Sequence, residues 1–130
     1  MEFLHPPGWP RPKGYANGIV ASGRMVFLGG QNGWDETGNI VSDDFVAQTR
    51  QALMNIVTVL AEAGGRPEDI VRLCWYITDK EAYLNAQDEL GRAYREVIGR
   101  HYPAMSLMVV SALVEPGAKV EIEATAVLPT

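Results

Sequence analysis

Twice along this chain the hydrophobic period switches from helical to strand spacing, and that alternation limits the folds open to it. Val46, Leu53, Ile56, Val57 and Leu60 recur at helical spacing behind the cap candidates Ser42, Asp43 and Asp44, and Gly64-Gly65 ends the run. Val71, Leu73, Trp75 and Ile77 then alternate with Arg72, Cys74, Tyr76 and Thr78, which is strand spacing. A second helical run, Tyr83, Leu84, Gln87, Leu90, Tyr94, Val97 and Ile98, is entered through Asp79 and left at Gly99. On either side lie further strand signals. "YANGIVAS" and "MVFLGGQ" are separated by Gly23-Arg24, the spacing of a two-residue hairpin, and "WDETGN" reads as a turn with Gly38 as its permissive residue. After Pro103, "MSLMVVSAL" and "KVEIEATAV" flank the turn "VEPGA" and read as a second hairpin.

The predicted order is β-β-α-β-α-β-β, an α+β domain in which two helices cover one face of one mixed sheet. The other face needs a cover. Met105, Leu107 and Val109 on one side of their strand and Met108 and Val110 on the other are all apolar, which predicts burial on both faces. With no second helix layer, another copy of the chain is the simplest cover, so the pattern predicts a homo-oligomer. A chain of 130 residues, 47% hydrophobic, is the size of one domain spanning 1–130. Its first 14 residues, with "HPPGWPRPKG", are expected to form an extended proline-rich arm.

Sixteen acidic against eleven basic side chains give a net charge of −5, which argues against a nucleic-acid partner. The single cysteine, Cys74, cannot form an internal disulfide, and no Cys or His pair has metal-ligand spacing. A cytoplasmic protein that neither spans a membrane nor needs a metal is the expectation.

Chemistry is concentrated near the C-terminus. Lys119, Glu121, Glu123 and Thr125 share one face of the last strand, opposite Val120, Ile122, Ala124 and Ala126. A carboxylate in a cleft can bind a cation, activate water or act as a general acid; on an open strand face it is only a solvated charge. Trp9 and Trp34 can wall a pocket or pack the arm on the body. His101 reads as a loop histidine and Cys74 as a buried thiol.

"GYANGIV", "FLGGQNGWDETGNIV", "QTRQALMNIVTVLAEAGGRPEDIVRLCWYITD" and "HYPAMSLMVVSALVEPGAKVEIEATAV" together resemble the Rid family, also called YjgF, the reactive-intermediate deaminases, over residues 14–128. The resemblance implies a chorismate-mutase-like protomer assembled as a homotrimer, its sheets facing a central core, with a small-molecule cleft between each pair of subunits. In active relatives such clefts hydrolyse imines and enamines to carbonyl compounds and ammonia without any cofactor. Glu121 matches the acid that orients the attacking water, and Tyr15 matches the cleft tyrosine. Gly29, Gln31, Met105 and Leu107 fall at substrate-binding positions, and Trp34 is a candidate wall. The family pattern Pro-Ala-Arg-Ser/Thr reads here Pro103, Ala104, Met105, Ser106, so the arginine that grips the substrate carboxylate is missing. Losing such a bond weakens binding of a small acid by roughly a hundredfold. Three readings follow: a substrate that is not a simple 2-imino acid, a replacement cation with Arg11 and Lys13 as candidates, or a trimer that binds a metabolite without turning it over. Some relatives have been called ribonucleases, which the acidic balance does not favour.

Overall fold

The computed structural model describes residues 1–130. Six strands and three helices follow one another as β1 (Glu2–Leu4), β2 (Gly18–Val20), β3 (Arg24–Asn32), α1 (Phe45–Glu62), β4 (Ile70–Ile77), α2 (Lys80–Asn85), α3 (Gln87–Val97), β5 (Ala104–Val109) and β6 (Val120–Leu128). A four-stranded mixed sheet in the order β3-β6-β4-β5 carries the domain, and β1 and β2 form a separate two-stranded ribbon. The α+β class and the single helix-covered sheet agree with the sequence pattern.

Local signals act where they were read. Asp44 caps α1, its Oδ2 accepting the Ala47 N–H at 2.8 Å, and Asp79 caps α2 through the Ala82 N–H at 3.1 Å. The Asp35–Asn39 turn closes on the Asp35 carboxylate, with Gly38 at φ +85°. The second helical run is divided at Ala86, whose ψ of 21° leaves the helical range between α2 and α3.

Both predicted hairpins are corrected. β2 pairs antiparallel with β1, so part of the N-terminal arm is a strand, and β3 takes β6 as its partner. A three-residue strand offers a short ladder, whereas the nine residues of β6 offer β3 a long one with matched alternation. β5 and β6 are not neighbours either. β5 runs parallel to β4 after the α2–α3 crossover, and β6 lies antiparallel on the other edge of β4. The connection Val110–Lys119 exceeds the ~2–5 residues of an ordinary hairpin loop, so it can pass over the end of β4.

The core lies between the sheet and the helices. Leu53, Ile56 and Leu60 of α1 meet Leu73 and Ile77 of β4 and Val120, Ile122 and Ala126 of β6, and all are fully buried. Leu90 and Tyr94 of α3 complete the layer. Gln48 is buried among them without loss: its amide donates to the Ser42 and Gly117 carbonyls, and its oxygen accepts the Lys119 N–H at 2.8 Å. It ties the start of α1 to the loop that delivers β6.

Candidate functional site

Strand register sorts the candidate residues onto two faces. Three rows cross the open face: Phe27–Thr125–Arg72–Ala104, then Glu123–Cys74–Ser106, then Asn32–Glu121–Tyr76–Met108. The intervening rows, Leu28–Ala124–Leu73–Met105 and Ile122–Trp75–Leu107, turn toward the helices. Met105 and Leu107 are half-buried against the core, so one chain holds them on the side of the sheet opposite Glu121.

A bulge shapes the surroundings of Glu121. Register shifts between Leu28 and Gln31, where Gly29 and Gly30 together span one position of β6. A Cβ on Gly30 would stand 2.4 Å from Glu121 Oε2, so only glycine lets this carboxylate lie across the strand. Asn32, buried in β3, donates from Nδ2 to the Val120 carbonyl at 2.9 Å and makes a long 3.4 Å contact with Glu121 Oε1. No cation pairs with Glu121, because the one ion pair of the chain joins Arg50 to Glu96. Glu123 is different: the Tyr76 hydroxyl donates to its Oε1 at 2.6 Å. Cys74 beside it and then the Glu123 carboxylate raise the Tyr76 pKa above the ordinary tyrosine value, holding it as the phenol. A shallow cavity of about 150 Å³ adjoins this pair, lined by Phe27, Arg72, Cys74, Glu123 and Thr125.

Gln31 and Trp34 are tied to each other. The Trp34 indole N–H donates to Gln31 Oε1 at 3.1 Å, and the Trp34 carbonyl accepts from Asn55 Nδ2 of α1 at 2.8 Å. The same Asn55 amide reaches the Asn32 carbonyl at 3.2 Å. Sequence reading passed over Asn32 and Asn55; the available signal was a polar residue within an apolar strand and another on the helix.

Tyr15 stands elsewhere, beside the entry to β5. The Ala16 N–H donates to the Pro103 carbonyl at 2.9 Å, and Ala16 bridges Ala104. Tyr15 and Arg11 line a cavity of about 310 Å³ with Phe3, Arg100, His101 and Tyr102. Lys13 is not among the lining residues, and Arg100 was not singled out in the sequence. His101 Nε2 lies 2.6 Å from the Ile70 carbonyl, which can only accept, so that nitrogen carries a proton and serves the fold. The structure therefore brings Tyr15 and Arg11 together, Gln31 and Trp34 together, and leaves Glu121 apart from Met105 and Leu107. No group of three His, Cys, Asp or Glu side chains is arranged to hold a metal. No helix is long and apolar enough to cross a membrane.

Comparison with known proteins fits this framework. The sequence model of the endoribonuclease L-PSP family matches residues 10–128. The chain belongs to the Rid/YjgF family. A RutC family protein of Pyrococcus horikoshii is 34% identical over 126 residues, 96% of each chain. Protein DfrA of Myxococcus xanthus is 34% identical over 129 residues, 97% of this chain and 95% of its own. Among solved structures, YyfB of Yersinia pestis, described as a conserved Rid family protein of unknown function, superposes with a TM-score of 0.85 at 34% identity over 98% of both chains. Within this Rid protein Met105 is the second residue of β5, partly buried against the core, so no guanidinium is offered there.

Proposed function

We propose that this Rid protein hydrolyses the C=N bond of a small imine or enamine in clefts formed between copies of the chain. The placement of Glu121 supports this reading most. It lies on the open sheet face without a cation, whereas Met105 and Leu107 lie on the helix face and Tyr15 beside the edge of β5. A cleft holding all four takes Glu121 from one copy and Tyr15, Met105 and Leu107 from another. The open face favours such an assembly, since Met25 and Phe27 at its β3 edge are 59% and 73% exposed and Met108 at its β5 edge is also exposed. A homotrimer is the closed arrangement we favour.

The chemistry uses only the chain's own groups. An enamine first tautomerises to its imine. The Glu121 carboxylate then accepts a proton from water as the water oxygen attacks the imine carbon, the C=N electron pair moves onto nitrogen, and nitrogen takes that proton back from Glu121. The carbinolamine then loses ammonia while its hydroxyl gives up a proton, leaving the carbonyl product. An iminium substrate itself answers the Glu121 charge. Tyr15 positions the substrate from the other side of the cleft. Because Met105 provides no carboxylate grip, the preferred substrate is one that does not depend on that grip.

The test is hydrolysis of imines generated in place by an amino-acid oxidase, comparing wild type, Glu121→Gln and Met105→Arg. Wild-type acceleration that falls by roughly 10²-fold or more in Glu121→Gln supports the reading. A gain in Met105→Arg for 2-imino acids would show that the catalytic shell is intact and that the natural substrate lacks the carboxylate. No acceleration in any of the three favours a trimer that binds a metabolite without turnover.

A further inference from the structure

The cavity beside Tyr15 has a composition unlike the rest of this acidic chain. Arg11, Arg100 and His101 line about 310 Å³ together with three aromatic rings, Phe3, Tyr15 and Tyr102. None of the sixteen Asp and Glu side chains does so. The chain's one ion pair is elsewhere, so neither guanidinium has a carboxylate partner. Two like charges on one small volume repel, and an anion between them turns that repulsion into two charge-assisted hydrogen bonds.

The walls are fixed by the fold. Phe3 packs edge-on against the His101 ring at 6.0 Å, His101 donates to the Ile70 carbonyl, and the Tyr94 hydroxyl donates to the His101 carbonyl at 2.6 Å. Tyr102 stacks on Tyr94 with ring centroids 5.4 Å apart. Arg11 comes from the arm and Arg100 from the turn after α3, so docking of the arm brings the two charges to one place. Aromatic walls of this kind suit a flat apolar body behind the charged group.

We infer that this cavity binds the carboxylate of a small organic acid with a flat apolar body, gripped by Arg11 and Arg100. The inference rests on the preceding functional reading only in taking Tyr15 as a wall of the substrate cleft; binding needs no turnover. It gives the missing arginine a replacement from two other segments, one of which is the N-terminal arm.

The probe is benzoate, with benzamide as its neutral isostere, titrated into the ¹⁵N-labelled full chain and followed by amide shifts. Benzoate should give saturable shifts at Tyr15, Ala16 and the His101–Tyr102 turn, and benzamide should not. Arg11→Gln and Arg100→Gln should each weaken benzoate by roughly tenfold or more, while Arg92→Gln, in α3 but lining a separate cavity with Gln87 and Asp88, leaves it unchanged. Unliganded spectra of the variants report whether the arm remains docked. Absence of saturable benzoate shifts overturns the inference, as does an equal response to benzamide or full affinity in both arginine variants. Benzoate binding without imine hydrolysis would sink the deaminase reading and leave this site standing. Imine hydrolysis without benzoate binding would do the reverse.

Discussion

The two faces of the sheet use alternate residues of the same strands and end in opposite states. On the helix side Val120, Ile122 and Ala126 of β6 are fully buried, and the neighbouring rows are closed by α1 and α3. On the open side Glu121, Glu123 and Thr125 of the same strand stand beside Phe27, which is 73% exposed. One face is completed by its own chain. The other presents apolar side chains around two half-buried carboxylates, a combination that costs little only if something else covers it or binds to it.

The largest effect that would sharpen this contrast is on stability. Leu53→Ala empties a site with no exposure and should cost about 2–5 kcal/mol in urea denaturation. Phe27→Ala removes a larger side chain, yet its loss should appear as weaker self-association in sedimentation, with little change in the stability of the chain alone. Equal costs for both, with association unchanged, would break the distinction between the faces.

A smaller and more local effect is expected at Gly30. Its added Cβ would meet Glu121 Oε2 at 2.4 Å and Cδ at 2.9 Å, so Gly30→Ala must turn the carboxylate away from its present direction. Turnover should fall toward that of Glu121→Gln while the melting temperature changes little. Glu123→Gln is the comparison, because the Tyr76 hydroxyl can donate equally well to an amide oxygen. If Glu123→Gln proved the more damaging of the two for turnover, the catalytic assignment would pass from Glu121 to Glu123.

Much of the fold could be read in the residues because it depends on local period. The alternation of β6 assigned Val120, Ile122, Ala124 and Ala126 to one face, and burial follows that alternation along the strand. Asp44, Asp79 and Gly38 act through bonds to residues a few positions away, so short windows reveal them. Strand order was less legible. Whether β4 enters between β5 and β6 is decided by pairing between distant segments, and the alternation of Met105 and Leu107 shows that they share a face without showing which one. Arg100 was missed for the same reason: it lines the same cavity as Arg11 only because the arm folds back along the turn after α3. The Glu121 environment was half visible, since the family resemblance placed Gly29 and Gln31 near the site but gave no sign of the bulge between Leu28 and Gln31 or of Asn32 beside the carboxylate.

The smallest predicted effect compares one tyrosine from each face. Tyr94 on the helix side has its pKa raised above the ordinary 10.0, chiefly by burial and secondarily by Tyr102, and Tyr76 on the open side is raised by Cys74 and then Glu123. In both, the folded state holds the phenol proton more tightly than the unfolded chain does. Stability from this source is complete below pH 10 and declines as pH rises past it, because there the unfolded state ionises first. Urea midpoints measured from about pH 8 to 11 should therefore fall at the alkaline end. Tyr94→Phe should flatten part of that fall and lose about 1 kcal/mol at neutral pH with its bond to the His101 carbonyl. Tyr76→Phe should flatten another part and free Glu123 from its donor. If Tyr76→Phe left the alkaline slope untouched while Tyr94→Phe removed it all, the open-face carboxylate would be solvated in solution, and Glu121 and Glu123 would no longer differ in how their charges are answered.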